Sequence, residues 1–312
     1  MTTPVISGSS GQPSADRKAP DKKRSRKWDT AIALIAALVG IAVMLYPVVA
    51  TVVNNHTQSR QARVYTEQIE TSFTPEERAA EMQEAREWNE AHQGGPILDP
   101  WLARISEDNA DYQHYLQQLN LTQAMGRIVI PEISSDLPIY HGTSESTLEK
   151  GIGHLYGSSL PTGGEGTHSL LTGHTGLSSA TLWDDLDKLE IGDAVYIDVV
   201  GEKMKYEIHN IDVVLPHETD HLRPVEGEDL LTLITCTPYA VNTHRLLLTA
   251  HRVPMDEEVE VYNTITTPWQ WWMTAVLIIA GIALIIMIGL MIKNYRNNRA
   301  ARMIEQPLVE EG

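Results

Sequence analysis

Residues 230–246 read Leu-Leu-Thr-Leu-Ile-Thr-Cys-Thr-Pro-Tyr-Ala-Val-Asn-Thr-His-Arg-Leu. The first half is an apolar run with β-branched residues, which suits a buried strand. Thr237-Pro238 then signals a turn. Cys236 therefore stands at a strand end beside a Pro turn, where a side chain is exposed on a rigid support. It is also the chain's single cysteine. A lone thiol has no intramolecular disulfide partner, so it is either a buried apolar residue or a working one. A buried structural cysteine sits more often in mid-strand, so the position favours the second reading. Arg245 opens the next apolar run. If 230–235 and 245–252 pair as neighbours, Arg245 and Cys236 lie near the same end of one sheet.

A thiol reacts as its thiolate and needs a partner to do so well. The chain has 12 histidines, so nearness in sequence selects none of them. His174 stands out in Leu170-Leu171-Thr172-Gly173-His174-Thr175-Gly176, just past a candidate strand and between two glycines. Such a residue is held on a tight turn with its ring free. Acyl transfer also builds negative charge on a carbonyl oxygen, which a fixed cation or donor pair must meet. Arg245 is the candidate cation. Taken singly, a turn histidine is ordinarily a surface residue and an arginine a solvated charge.

From Gly126 onward the chain is a series of short β-rich runs: 127–130, 137–140, 168–172, 194–200, 204–214, 230–235 and 245–252. Close spacing of this kind predicts a sandwich or a barrel. Alternation is clearest in 194–200, where Val195, Ile197 and Val199 share one face. Upstream, Thr74-Pro75-Glu76-Glu77 reads as an N-cap, a first-turn proline and a capping-box glutamate. That helix is expected to stop at Gly94-Gly95 and to pack through Met82, Ala85 and Trp88. A second helix is predicted near 109–120.

Two runs, 30–53 and 269–292, contain no charged residue. Each matches the roughly 20 residues that cross a bilayer as a helix. Trp269, Trp271 and Trp272 stand at one end of the second run, where aromatics favour the headgroup zone. Arg17, Lys18, Lys22, Lys23, Arg24, Arg26 and Lys27 precede the first run. Lys293, Arg296, Arg299 and Arg302 follow the second. Basic flanks stay in the cytoplasm, which predicts both termini inside and the intervening domain outside. The first run lacks a clean small-residue cleavage site and reads as an uncleaved signal anchor. The net charge of −17 belongs mainly to the intervening domain. It argues against nucleic acid, which requires a basic face. No His/Asp/Glu cluster has metal-ligand spacing, and no cofactor is expected.

Taken together, these residues resemble the sortases. Thr232-Leu233-Ile234-Thr235-Cys236 is similar to the family signature TLxTC. The longer string from Thr235 to Tyr239, continued by Asn242-Thr243-His244-Arg245-Leu246, resembles the pilin-polymerising (class C) sortases of Gram-positive bacteria. The stretch from Leu171-Thr172-Gly173-His174 to Leu182-Trp183-Asp184-Asp185-Leu186 resembles the family's histidine segment. Asp99-Pro100-Trp101 is similar to the lid motif of pilin sortases. Thr175 departs from the pattern, since a basic residue often follows that histidine.

The resemblance implies a mainly β fold, a closed eight-stranded β-barrel with flanking helices, to which the two transmembrane helices are added. The expected organisation is a basic tail over 1–28, a membrane anchor over 29–53 and a helical region with the lid over 54–125. A catalytic barrel follows over 126–254, then a linker over 255–268, a second membrane helix over 269–292 and a tail over 293–312. The implied catalytic residues are Cys236, His174 and Arg245, with Asp99, Pro100 and Trp101 forming the lid. The implied reaction cleaves an LPxTG-like sorting signal between Thr and Gly and joins the acyl group to a pilin lysine. Two other readings stay open. One is a housekeeping sortase that loads peptidoglycan precursor; the other is a membrane-tethered scaffold without catalysis.

Overall fold

A computed structural model describes residues 22–92, 99–101, 108–255 and 268–305. The chain forms two compact units. One is Leu45–Ile278; the other comprises the segments up to Met44 and from Ile279 onward. The flanking helices α1 (Lys22–Ser72) and α5 (Trp271–Glu305), each divided between the two units, carry windows long and apolar enough to span a bilayer. Their apolar side chains are bare, among them Ile32, Ile35, Leu38 and Val39 on α1 and Ile282, Ile285 and Ile286 on α5. A helix in a soluble core would bury such a surface.

The larger unit is built on a closed barrel. Its strands are β1 (Gly126–Ile130), β2 (Ser135–His141), β3 (Ile152–His154), β4 (Thr167–Thr172), β5 (Ala194–Val199), β6 (Glu202–Val214), β7 (Asp229–Thr237) and β8 (His244–Val253). They run β1-β2-β3-β4-β7-β8-β6-β5 around the barrel. The β2–β3 and β4–β7 pairs are parallel and the other pairs antiparallel. Strand periodicity sorts the side chains. Ile128, Ile139, Ile152, Leu171, Val195, Ile197, Val199, Leu231, Leu233 and Leu248 meet in one core. Tyr196 lies on the opposite face and packs with Val129. The strand missed by sequence reading is β3. Three residues centred on Gly153 are too few to show alternation.

The helix α2 (Pro75–Ala91) begins as its sequence predicts. Thr74 Oγ1 accepts from the Glu77 amide, and the Glu77 carboxylate accepts from the Thr74 amide. Met82 and Ala85 are buried in the barrel core, and Trp88 packs against it. The helix ends at Ala91; Gly94-Gly95 lies outside the described residues. The helix expected near 109–120 is shorter, α3 (Ala110–Tyr115), capped by the Asn109 side chain. A single turn, α4 (Glu145–Leu148), follows β2.

Burial of titratable groups makes this fold acid-sensitive. His154 is fully buried, with Nδ1 2.9 Å from the Tyr115 hydroxyl and Nε2 2.8 Å from the Ser159 carbonyl oxygen. Burial pushes its pKa down to about 4, and burial lowers His141 and His168 as well. A depressed histidine contributes stability above the unfolded value of about 6.5 and loses it as pH falls toward 4; for His154 the full loss is about 3 kcal/mol. Asp184 and Asp198 oppose this, because burial raises their pKa values and acid then favours the fold. Burial also lowers His174 and His209 and raises Glu81 and Glu132, which sets five histidines against four carboxylates. With His154 fully buried among them, the melting temperature should drop between pH 7 and pH 5. The drop should shrink in His154→Gln. A melting temperature that rises on acidification would show that the carboxylates prevail.

Candidate active site

The barrel register determines where the three candidate residues fall. In the parallel β4–β7 pair, Thr172 lies opposite Ile234. His174 and Cys236 each follow two residues later, so the chain reaches them at the same level of neighbouring strands. In the antiparallel β7–β8 pair, Cys236 is directly opposite Arg245. His174, Cys236 and Arg245 therefore stand in one row at one end of β4, β7 and β8. Two residues into the strands from these three lie Thr172, Ile234 and Leu247, and Leu170 lies two further along β4. Leu170, Ile234 and Leu247 form a cluster with Leu155, Val214 and Leu222, separate from the barrel core. The period of two puts Cys236 and Arg245 on this outer face.

His174 is held by its neighbours. The Gly173 amide donates to the Ile234 carbonyl (3.0 Å), and Thr235 Oγ1 donates to the Gly173 carbonyl (2.7 Å). Gly173 has to lack a side chain, because a Cβ there would lie 2.6 Å from the fully buried ring of Trp183. The Trp183 amide returns to the His174 carbonyl at 3.1 Å, closing the loop. Asp184 Oδ1 then accepts from the Gly176 amide (2.7 Å) and from Thr175 Oγ1 (3.3 Å). Thr175 is thus tied down, and the charge of the commoner basic residue is absent. Burial raises the Asp184 pKa to about 6.

Residues 99–101 lie over the row. The Asp99 carboxylate receives two bonds from Arg245, Nε to Oδ2 at 2.7 Å and Nη2 to Oδ1 at 3.1 Å. This bidentate pair is buried on both sides, with side-chain exposures of 8% and 4%. The Arg245 Cζ sits 4.6 Å from the centre of the Trp101 ring, a cation–π arrangement. Trp101 also packs on the outer apolar cluster, and its Nε1 approaches His174 Nδ1 at 3.5 Å. Thr143 Oγ1 donates to the Pro100 carbonyl at 3.2 Å.

The electrostatics describe a covered site. Cys236 is 8% exposed. Burial raises its pKa; the Arg245 guanidinium lowers it and the Asp99 carboxylate raises it. Burial lowers the His174 pKa, while Glu145 and Glu149 raise it. His174 Nε2 lies 3.4 Å from Glu145 Oε1, at ion-pair distance but without hydrogen-bond alignment. Both dominant effects favour the neutral thiol and the neutral imidazole. A thiol, an imidazole and a guanidinium in a row are suited chemically to acyl transfer, and in this structure Asp99 and Trp101 occupy the guanidinium. Sequence reading missed Glu145 and Thr143, which reach the site through the pairing of β2, β3 and β4 beside β7. Asp184 stood inside a quoted motif without a role.

The sortase-domain family model matches residues 128–253. The sortase C-1 structure from Actinomyces oris is 55% identical, with a TM-score of 0.57, covering 58% of this chain and all of that one. The chain belongs to the sortase family. Members of this sortase family are cysteine transpeptidases. A lid mutant of sortase A from Corynebacterium diphtheriae is 49% identical, with a TM-score of 0.55, covering 59% of this chain and 97% of that one. Sortase C from Streptococcus pneumoniae, described as informative on catalysis and pilin substrate specificity, is 34% identical with a TM-score of 0.60. It is covered in full by 64% of this sortase. The matches to curated relatives span 60%, 57% and 47% of those proteins' lengths.

Proposed function

We propose that this sortase is a class C transpeptidase that polymerises pilin subunits. The observation that carries the reading is the row His174–Cys236–Arg245 with Asp99 forked onto Arg245 and Trp101 stacked above it. Likeness to proteins named sortase C supports it. In the proposed reaction the neutral Cys236 thiol passes its proton to the neutral His174 as substrate enters, and the resulting thiolate attacks the Thr carbonyl carbon of an LPxTG-like signal. Arg245 meets the oxyanion. The Thr–Gly bond breaks as His174 gives its proton to the departing Gly amine, leaving a thioester on Cys236. A pilin lysine amine then attacks the thioester, His174 takes its proton, and the thiolate departs as the isopeptide bond forms. Neighbours named sortase A favour a second reading in which the attacking amine belongs to a cell-wall precursor.

The basic flanks of the two apolar helices support a topology with both termini in the cytoplasm and the barrel outside. Tethering the sortase beside membrane-tethered substrates raises their effective concentration. Two measurements test these proposals. The full chain, incubated with a pilin bearing an LPxTG-type signal, should build a ladder of covalent multimers on a denaturing gel. Release of single acylated pilins onto a precursor-like amine, without a ladder, would favour the second reading. On intact cells a membrane-impermeant thiol reagent should label Cys236, and permeabilisation should not increase the labelling; a large increase would overturn the orientation.

A further inference from the structure

Residues 173–185 carry His174 but contain no regular helix or strand. A general acid/base must be held to within a fraction of an ångström, so something outside this loop has to hold it. The face of α1 at the end of its apolar run and just beyond it supplies contacts at helical spacing: Thr51, Asn54, Asn55 and Gln58. Asn54 Nδ2 donates to the Ser179 carbonyl at 2.8 Å, and Thr51 Oγ1 lies 3.4 Å from the Ser178 carbonyl. Asn55 is 4% exposed and makes a paired contact. Its Nδ2 donates to Thr181 Oγ1 at 2.9 Å, and its Oδ1 accepts from the Thr181 amide at 3.0 Å. Gln58 Nε2 donates to the Glu149 carbonyl (3.3 Å), just past α4, whose Glu145 faces His174.

The segment that opens the second apolar run reaches the same loop. Gln270 Nε2 donates to Asp185 Oδ2 at 2.7 Å, and the Pro268 carbonyl lies 3.4 Å from Asn55 Nδ2. Buried polar groups cost stability unless they are bonded. A stripe of them beside an apolar run is therefore costly as mere packing, whereas each serves well to fix a loop backbone. We propose that Asn55 on α1 and Gln270 before α5 are positioning residues. From the two polar borders of the apolar runs they clamp the loop that carries His174, so that both flanking segments set the geometry of proton transfer.

The test rests on the proposed acyl-transfer function and uses the full chain in detergent micelles, with rates scaled to active sites titrated by thioacyl formation. Asn55→Ala should lower kcat by about tenfold and Gln270→Ala several-fold, with KM within twofold, since small misplacements of a catalytic group cost up to about 10²-fold. Gln270→Lys retains a donor for Asp185 and should recover most of the loss. Asp185→Ala combined with Gln270→Ala should fall no further than Gln270→Ala alone, because the two act as one contact. Gln68→Ala, on the same helix but away from the loop, should leave kcat unchanged. Wild-type kcat per active site in both Asn55→Ala and Gln270→Ala would overturn the clamp, as would additive losses in the Asp185/Gln270 pair. Absence of turnover by the wild-type chain would instead refute the proposed function.

Discussion

Cys236→Ala is expected to abolish thioacyl formation and ladder growth, while His174→Ala lowers turnover by about 10²–10⁴-fold and Arg245→Ala by about 10²–10³-fold. No other thiol exists in the chain to substitute for Cys236. The histidine loss is expected to be the larger of the two, because in the proposed reaction His174 gives a proton in the first half-reaction and takes one in the second. In the proposed reaction Arg245 contributes wherever a tetrahedral oxyanion forms. It is anchored for that role, with Nη1 donating to the Asn242 and His244 carbonyls at 3.3 and 3.2 Å. That leaves Nε and Nη2, now on Asp99, as the two donors a substrate would meet. Arg245→Lys should therefore rescue only in part, since an ammonium lacks the planar two-donor fork. Single-turnover measurement of thioester formation separates these outcomes. Ladders surviving in Cys236→Ala would sink the acyl-transfer reading. Wild-type rates in Arg245→Lys would show that charge alone matters.

How much of this was legible depended on how local each feature is. Seven of the strands announced themselves as short apolar or β-branched runs between turn residues, with alternation clearest in 194–200, and the α2 cap through four adjacent residues. The Cys236–Arg245 pairing was also local, because a hairpin joins β7 to β8 and the register follows from one turn. The His174–Cys236 relation was not. It depends on the parallel pairing of β4 with β7, whose facing residues Thr172 and Ile234 lie far apart in sequence. No period in the sequence encodes that register; only resemblance to a family pointed to it. Asn55 and Gln58 illustrate a third case. Composition reads such residues as solvated, yet both are nearly inaccessible in the fold. A buried amide is recognisable only from the groups it bonds, and here those are the Thr181 hydroxyl and amide and the Glu149 carbonyl, each more than 90 residues away.

Asp99→Ala and Trp101→Ala are each expected to speed alkylation of Cys236 by about 10- to 1,000-fold. The Asp99–Arg245 fork is buried and charge-assisted, and the Trp101 ring stacks on the same guanidinium. A cover held by a few kcal/mol leaves its open state at about 0.1–10% of molecules. Reagents and substrates that need the open state are slowed by that fraction. Removing Asp99 alone strands Arg245 as a buried cation, an arrangement costing about 3–5 kcal/mol, so the segment should lift rather than stay in place. Both residues grip Arg245, so the double variant should gain little over either single one. The singles nevertheless differ in one respect. Burial is the main reason the Cys236 pKa is raised, and uncovering the site relieves it in both variants. The Asp99 carboxylate adds a second upward push, which only Asp99→Ala removes. The pH profile of alkylation should therefore move to lower pH in both, and further in Asp99→Ala than in Trp101→Ala. Asp99→Asn, which keeps an acceptor for Arg245 but loses the charge, should follow Asp99→Ala in its pH profile while opening less. If neither single variant labels faster than wild type, residues 99–101 do not gate Cys236. If both label faster with the same pH profile, the segment acts by steric cover alone and the Asp99 charge plays no part.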